Sequence, residues 1–137
     1  MSTQAIGAAR TTTTVRSRFL SQVLRFDAIA SGGLGVLLLG ASGVLDGVLG
    51  LPRGLSLSAG AFLLVWTAAL LLIARRPELN RTAVSEVVII NLAWVVASIA
   101  AVFTVDLTGL GVAFVLVQAG AVALFAELQL TALRKTT

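Results

Sequence analysis

The chain has 137 residues, 58% of them hydrophobic and only 12% charged, with ten Lys and Arg against six Asp and Glu for a net charge of +4. Charged residues usually make up about 25% of a globular protein, and a water-soluble domain of this length leaves too much of its chain exposed to hide so much apolar surface. Cys, His and Tyr are absent, which excludes disulfides, thiolate chemistry, His-ligated haem and Cys/His metal sites, so no metal or cofactor is expected.

Residues 1–14, MSTQAIGAARTTTT, are small, polar and aperiodic and read as a disordered N-terminal tail. Residues 15–25 set Val15, Phe19 and Val23 about four apart among Arg16, Arg18 and Arg25. That spacing predicts an amphipathic juxtamembrane segment, either lying on the interface or extending the first span into water. The first apolar stretch comes after Arg25 and is too long for a signal-peptide core, so no cleavable signal is expected.

The charges then mark out the spans. Asp27 to Asp46 encloses 18 uncharged residues, Arg53 to Arg75 encloses 21, Glu86 to Asp106 encloses 19, and Asp106 to Glu127 encloses 20. A helix crossing hydrocarbon needs about 20 apolar residues, so the runs predict spans over 26–49, 56–74, 84–104 and 109–132, with 133–137 as a short tail. The turns between them are GLPRG, RRPELNRT and VDLTG, where Pro52, Pro77 and the glycines break the helical pattern. Backbone groups in lipid must be satisfied within each segment, so the spans are expected to be helices. Short loops make neighbours antiparallel. The predicted fold class is all-α, a transmembrane four-helix antiparallel up-down bundle.

Nine of the ten basic residues fall on one side of that topology, and only Arg53 on the other. The positive-inside rule makes the basic side, with both termini, cytoplasmic. The bases orient the protein toward a lipid bilayer; they do not form a nucleic-acid surface.

Span one and the Gly50 that follows it carry seven of the 13 glycines. Gly43 and Gly47 form a GxxxG pair, and Gly32 and Gly35 continue a small-residue face with Ala28, suited to close helix packing within the chain or across a homodimer seam. Near mid-span lie Trp66, Trp94, Ser98 and Gln118. Asn91, Trp94 and Ser98 share one face of span three. An indole N–H in hydrocarbon needs an acceptor, which Gln118 or Ser98 can supply. These groups read either as interhelical hydrogen bonding or as a small midplane substrate pocket. Glu127 has no basic residue three or four positions away on its own helix. It reads as a boundary marker or structural ion pair, or as a coupling or substrate-contacting acid. At the other side, Asp46, Arg53 and Asp106 are placed to tie the two turns together. No catalytic constellation is visible.

The strings RFDAIASGGLG (25–35), NLAWVVAS (91–98) and VLVQAGAVALFAELQLTALRK (115–135) resemble a family of small bacterial four-span integral membrane proteins of uncharacterised function. The resemblance implies a bacterial cytoplasmic-membrane protein and no particular chemistry. Small multidrug-resistance transporters and four-span fluoride channels are similar in size. The former carry their glutamate in the first helix, where this chain has no acid at mid-depth. The broken, phenylalanine-rich third helix of the latter is not visible in span three. The expected function is non-enzymatic, by helix association as a homo-oligomer or as an accessory subunit of a larger membrane complex. The other reading is a small transporter or channel with Glu127, Asn91, Trp94 and Gln118 along its route.

Overall fold

The structure, a computed structural model, describes residues 14–135. Most of the expected N-terminal tail and the last two residues lie outside them. The described chain consists of strand β1 (Thr14–Val15), helices α1 (Arg18–Gly40), α2 (Ser42–Leu49) and α3 (Arg53–Ala74), strand β2 (Leu79–Asn80), and helices α4 (Arg81–Thr104) and α5 (Gly109–Lys135). Four of these, α1, α3, α4 and α5, are long and apolar enough to cross a membrane. At about 1.5 Å per residue, the 22 residues of α3 match the roughly 30 Å of a bilayer's hydrocarbon. Large apolar side chains point outward along them, with Phe103 83% and Val117 73% exposed. Such a surface is stable only against lipid or another apolar face. The chain is a multi-pass membrane protein.

Local chemistry explains where the helices depart from the expected spans. α1 begins at Arg18 because the Ser17 hydroxyl accepts from the Leu20 N–H at 3.1 Å and caps the first turn. Residues 18–25 are thus the opening turns of α1, while Val15 belongs to β1. Span one is two helices. The axis breaks at Ala41 (φ −117°, ψ 21°), inside Gly40-Ala41-Ser42-Gly43, the small-residue and serine context in which kinks form. α2 stops at Gly50, whose φ of +77° is left-handed. A Cβ there would also meet the Asp106 carbonyl oxygen at 2.8 Å. α3 starts at Arg53 because Pro52 (φ −55°) ends the turn. α4 starts at Arg81 because the Asn80 side chain accepts from the Ala83 N–H at 3.1 Å. α5 continues through Lys135, so the first residues of the expected C-terminal tail are helical; Arg134 and Lys135 complement the negative end of the helix dipole.

The helices form two antiparallel hairpins, α1 with α3 and α4 with α5, which join mainly through α1 and α5; α3 and α4 scarcely touch. The first hairpin closes through glycine. A Cβ on Gly60 would lie 2.9 Å from the Gly35 carbonyl oxygen and 2.8 Å from Leu39 Cγ, and one on Gly32 would sit 3.3 Å from the Thr67 side chain. Gly43 faces the Arg53 guanidinium, and Gly47 faces open space. The two apolar cores lie at opposite ends. Val15, Leu20, Leu24, Leu70, Leu79, Val84, Val87 and Leu133 fill the end that carries both termini. Leu38, Leu45, Leu49, Leu51, Leu63 and Val115 fill the other.

At the terminal end β1 pairs antiparallel with β2, Thr14 opposite Asn80 and Val15 opposite Leu79. Arg16 Nε lies 3.4 Å from Glu78 Oε1 beside them. At the far end Thr108 ties the two turns. Its N–H donates to the Leu49 carbonyl at 3.0 Å, its hydroxyl donates to the Val48 carbonyl at 2.8 Å, and the same oxygen accepts from the Gly111 N–H at 3.0 Å. The expected Asp46–Arg53–Asp106 cluster does not form. All three side chains are exposed without an ion pair among them, because backbone carbonyls and Thr108 already make the connection.

Candidate functional site

Polar groups inside the bundle gather at two depths. The first lies in the third of the bundle nearest the termini. α1 brings Asp27 and Ser31, one helical turn apart, α4 brings Asn91 and α5 brings Gln129; these side chains are 1%, 8%, 3% and 0% exposed. The Asp27 carboxylate accepts at Oδ2 from Asn91 Nδ2 (2.9 Å) and Gln129 Nε2 (2.8 Å), and at Oδ1 from the Ser31 hydroxyl (3.2 Å). Asn91 Nδ2 spends its second proton on Gln129 Oε1 at 3.0 Å. The three amide and acid side chains close a triangle that staples α1, α4 and α5. Asn91, Gln129 and Ser31 each donate one hydrogen bond to the Asp27 carboxyl group. Asp27 makes no ion pair among the described residues, and Arg25, two residues away, is exposed. Seven residues of α3 separate this level from Arg75, about 10 Å at helical rise, so the acid is within the apolar layer.

The second level lies near mid-bundle, between α4 and α5. Trp94 Nε1 donates to Gln118 Oε1 at 2.8 Å. Gln118 Nε2 donates to the Ser98 hydroxyl at 2.9 Å and to the Val115 carbonyl at 2.8 Å, and the Ser98 hydroxyl donates to the Trp94 carbonyl at 2.8 Å. This network is closed as well. Phe62 stacks between Trp66 (6.2 Å, 10°) and Trp94 (5.8 Å, 9°), making an aromatic bridge from α3 to α4.

Above that bridge the poorly joined α3–α4 seam holds a cavity of about 170 Å³, walled by Leu38, Leu55, Ala59, Ala97 and Phe114 with Gln118 at its edge. Ser56, 1% exposed, borders it with a hydroxyl that has no hydrogen-bond partner among the described residues. The lining is almost wholly apolar, so the space suits hydrocarbon and not an ion or a polar solute.

The residues expected to form one site therefore separate. Trp94, Ser98 and Gln118 come together at mid-bundle, Trp66 joins through Phe62, and Asn91 turns to the other network. Glu127 joins neither. It is exposed on the outer face of α5 with no hydrogen bond or ion pair among the described residues. Two residues on, Gln129 occupies the interior position, since two residues turn a helix by about 200°. Glu127 thus lies on a different face of the bundle from Gln118 and Asn91. Asp27, Ser31 and Gln129 are the members that sequence reasoning missed. The available signal was the one-turn spacing of Asp27 and Ser31 beside Ala28 and Gly35 on the small-residue face.

No protein-family model, curated protein or solved structure matches this chain. The site is thus read from its own geometry. Two interhelical hydrogen-bond networks lie inside the bundle, and Glu127 lies outside with no partner among the described residues.

Proposed function

We propose that this chain is a non-enzymatic integral membrane protein that works by helix association, as a homo-oligomer or as an accessory subunit of a membrane complex. It would sit in a bacterial cytoplasmic membrane with both termini inside the cell, as the one-sided arginines and the family resemblance of its strings suggest. One observation carries the reading. Leu110, Ala113, Val117, Gly120, Leu124, Glu127 and Thr131 follow alternating steps of three and four along α5, and every one is exposed.

A three-four repeat is the seam of a left-handed helix pair. Its small members, Ala113 and Gly120, allow close approach, and no atom lies within 4 Å of a Cβ built on Gly120. Glu127 is the acidic member of the seam, with Thr131 one turn on. A carboxylate facing lipid about 10 Å from the helix end is unfavourable, whereas one hydrogen-bonded across an interface is satisfied and sets the register. Most of the interior polar groups, by contrast, bond to one another, which leaves them less capacity to hold a transported polar substrate.

The chain has no cysteine, so single replacements report on the seam directly. V117C and L124C should form disulfide-linked species in membranes, or adducts with one co-purifying protein, while V96C on the outer face of α4 should not. A strictly monomeric particle in mild detergent with no partner, or equal cross-linking at all three positions, refutes the reading.

A further inference from the structure

Near the terminal end, α1 and α3 leave a surface cleft of about 410 Å³ between Arg25, Ala68, Leu71, Leu72, Ala74 and Arg75. Its walls are largely apolar, and two arginines, Arg25 and Arg75, line it. Neither arginine makes a hydrogen bond or ion pair through its side chain among the described residues, and both are exposed. Glu78, three residues beyond Arg75, is engaged by Arg16 at 3.4 Å, Asp27 is held by Asn91, Gln129 and Ser31, and Arg76 adds a further exposed base beside Arg75. Arg75 caps the end of α3. Arg25 lies deeper. The Ser21 hydroxyl reaches the Ala74 carbonyl and the Thr67 hydroxyl reaches the Ala28 carbonyl, so Arg25 stands about level with Leu70, from which its long stem must rise toward the head-group layer.

We infer that this cleft is a binding site for an anionic glycerophospholipid, whose phosphate sits between Arg25 and Arg75 and whose acyl chain runs along Ala68, Leu71 and Leu72. Both halves of the ligand are matched. Two unneutralised guanidiniums offer planar donors to phosphate oxygens, and the groove below them is lined by methyl and methylene groups at acyl-chain depth. A free phosphate would use the first half only. The site lies on the α1–α3 hairpin, away from the α5 seam, and stands independently of the association reading.

Native mass spectrometry of the detergent-purified protein, with equal phosphatidylglycerol and phosphatidylcholine added, tests it. The wild-type chain should retain one phosphatidylglycerol in strong preference to phosphatidylcholine. R25Q/R75Q should reduce that preference by about thirtyfold, roughly fivefold for each charge near the surface. The control R134Q/K135Q, which removes two bases from the end of α5, should leave it unchanged. A68W, which fills the cleft and keeps both arginines, should also abolish retention, and inorganic phosphate should not compete. The inference fails if the wild type shows no preference, or if the α5 control lowers it as much as R25Q/R75Q does. It also fails if A68W retains the lipid or phosphate displaces it.

Discussion

Replacing Asn91 by Leu keeps the branched shape of the side chain and removes both of its donors. Asp27 then loses one of three hydrogen bonds, and Gln129 Oε1 loses its donor at a position with 0% exposure. Interhelical hydrogen bonds in membrane proteins contribute about 0.6 kcal/mol each, so two lost bonds amount to about 1.2 kcal/mol. A buried acceptor left unmet adds about 1 to 3 kcal/mol. N91L should therefore destabilise the bundle by about 2 to 4 kcal/mol.

The triple replacement D27L/N91L/Q129M removes all three polar groups with little change in shape. Exchanging a complete buried network for apolar packing is often neutral, so the triple variant should lie within about 1 kcal/mol of the parent and be more stable than N91L alone. Unfolding by rising dodecyl sulfate fraction in mixed micelles, followed through Trp66 and Trp94, measures both. A loss under about 0.5 kcal/mol for N91L, or a triple variant weakened by the sum of its three single changes, would refute the closed-network argument.

Two further changes probe the helix contacts. G111A puts a methyl group onto the Leu49 carbonyl oxygen and 3.2 Å from Leu107 Cβ. It should cost about 2 to 3 kcal/mol in the same titration, whereas G33A, with no atom within 4 Å of the new carbon, should gain about 0.5 to 1 kcal/mol from helix propensity. T108V removes the cap on Gly111 and the bond to the Val48 carbonyl; it should destabilise by about 1 to 2 kcal/mol and speed hydrogen exchange at the Gly111 amide.

How far the sequence carries is clearest residue by residue. The uncharged runs bounded by Asp27, Asp46, Arg53, Arg75, Glu86, Asp106 and Glu127 disclose four spans, because hydrocarbon thickness dictates length whatever the helices touch. The Trp94–Gln118 pair is legible because both side chains fall near the centre of adjacent antiparallel runs and one needs the acceptor that the other offers. Asp27 was hidden by the same logic that found the spans, since a charge at the start of a run reads as its boundary. Glu127 and Gln129 could not be sorted into outward and inward because every face of α5 is apolar. Without a polar face, rotation about the helix axis leaves no trace in the pattern. The kink at Ala41 was obscured for a related reason, as glycines serve both packing and bending.

The Asp27 triangle has a consequence for biogenesis. Its partners lie 64 and 102 positions further along the chain, so a ribosome delivers the acid to the translocon long before either amide exists. Until α4 and α5 arrive, only Ser31 of the same helix meets that acid in the apolar layer, a burden of up to about 3 kcal/mol on insertion scales. Products truncated ahead of Gln129 therefore carry a weakened first helix, and the last span to be synthesised secures the first.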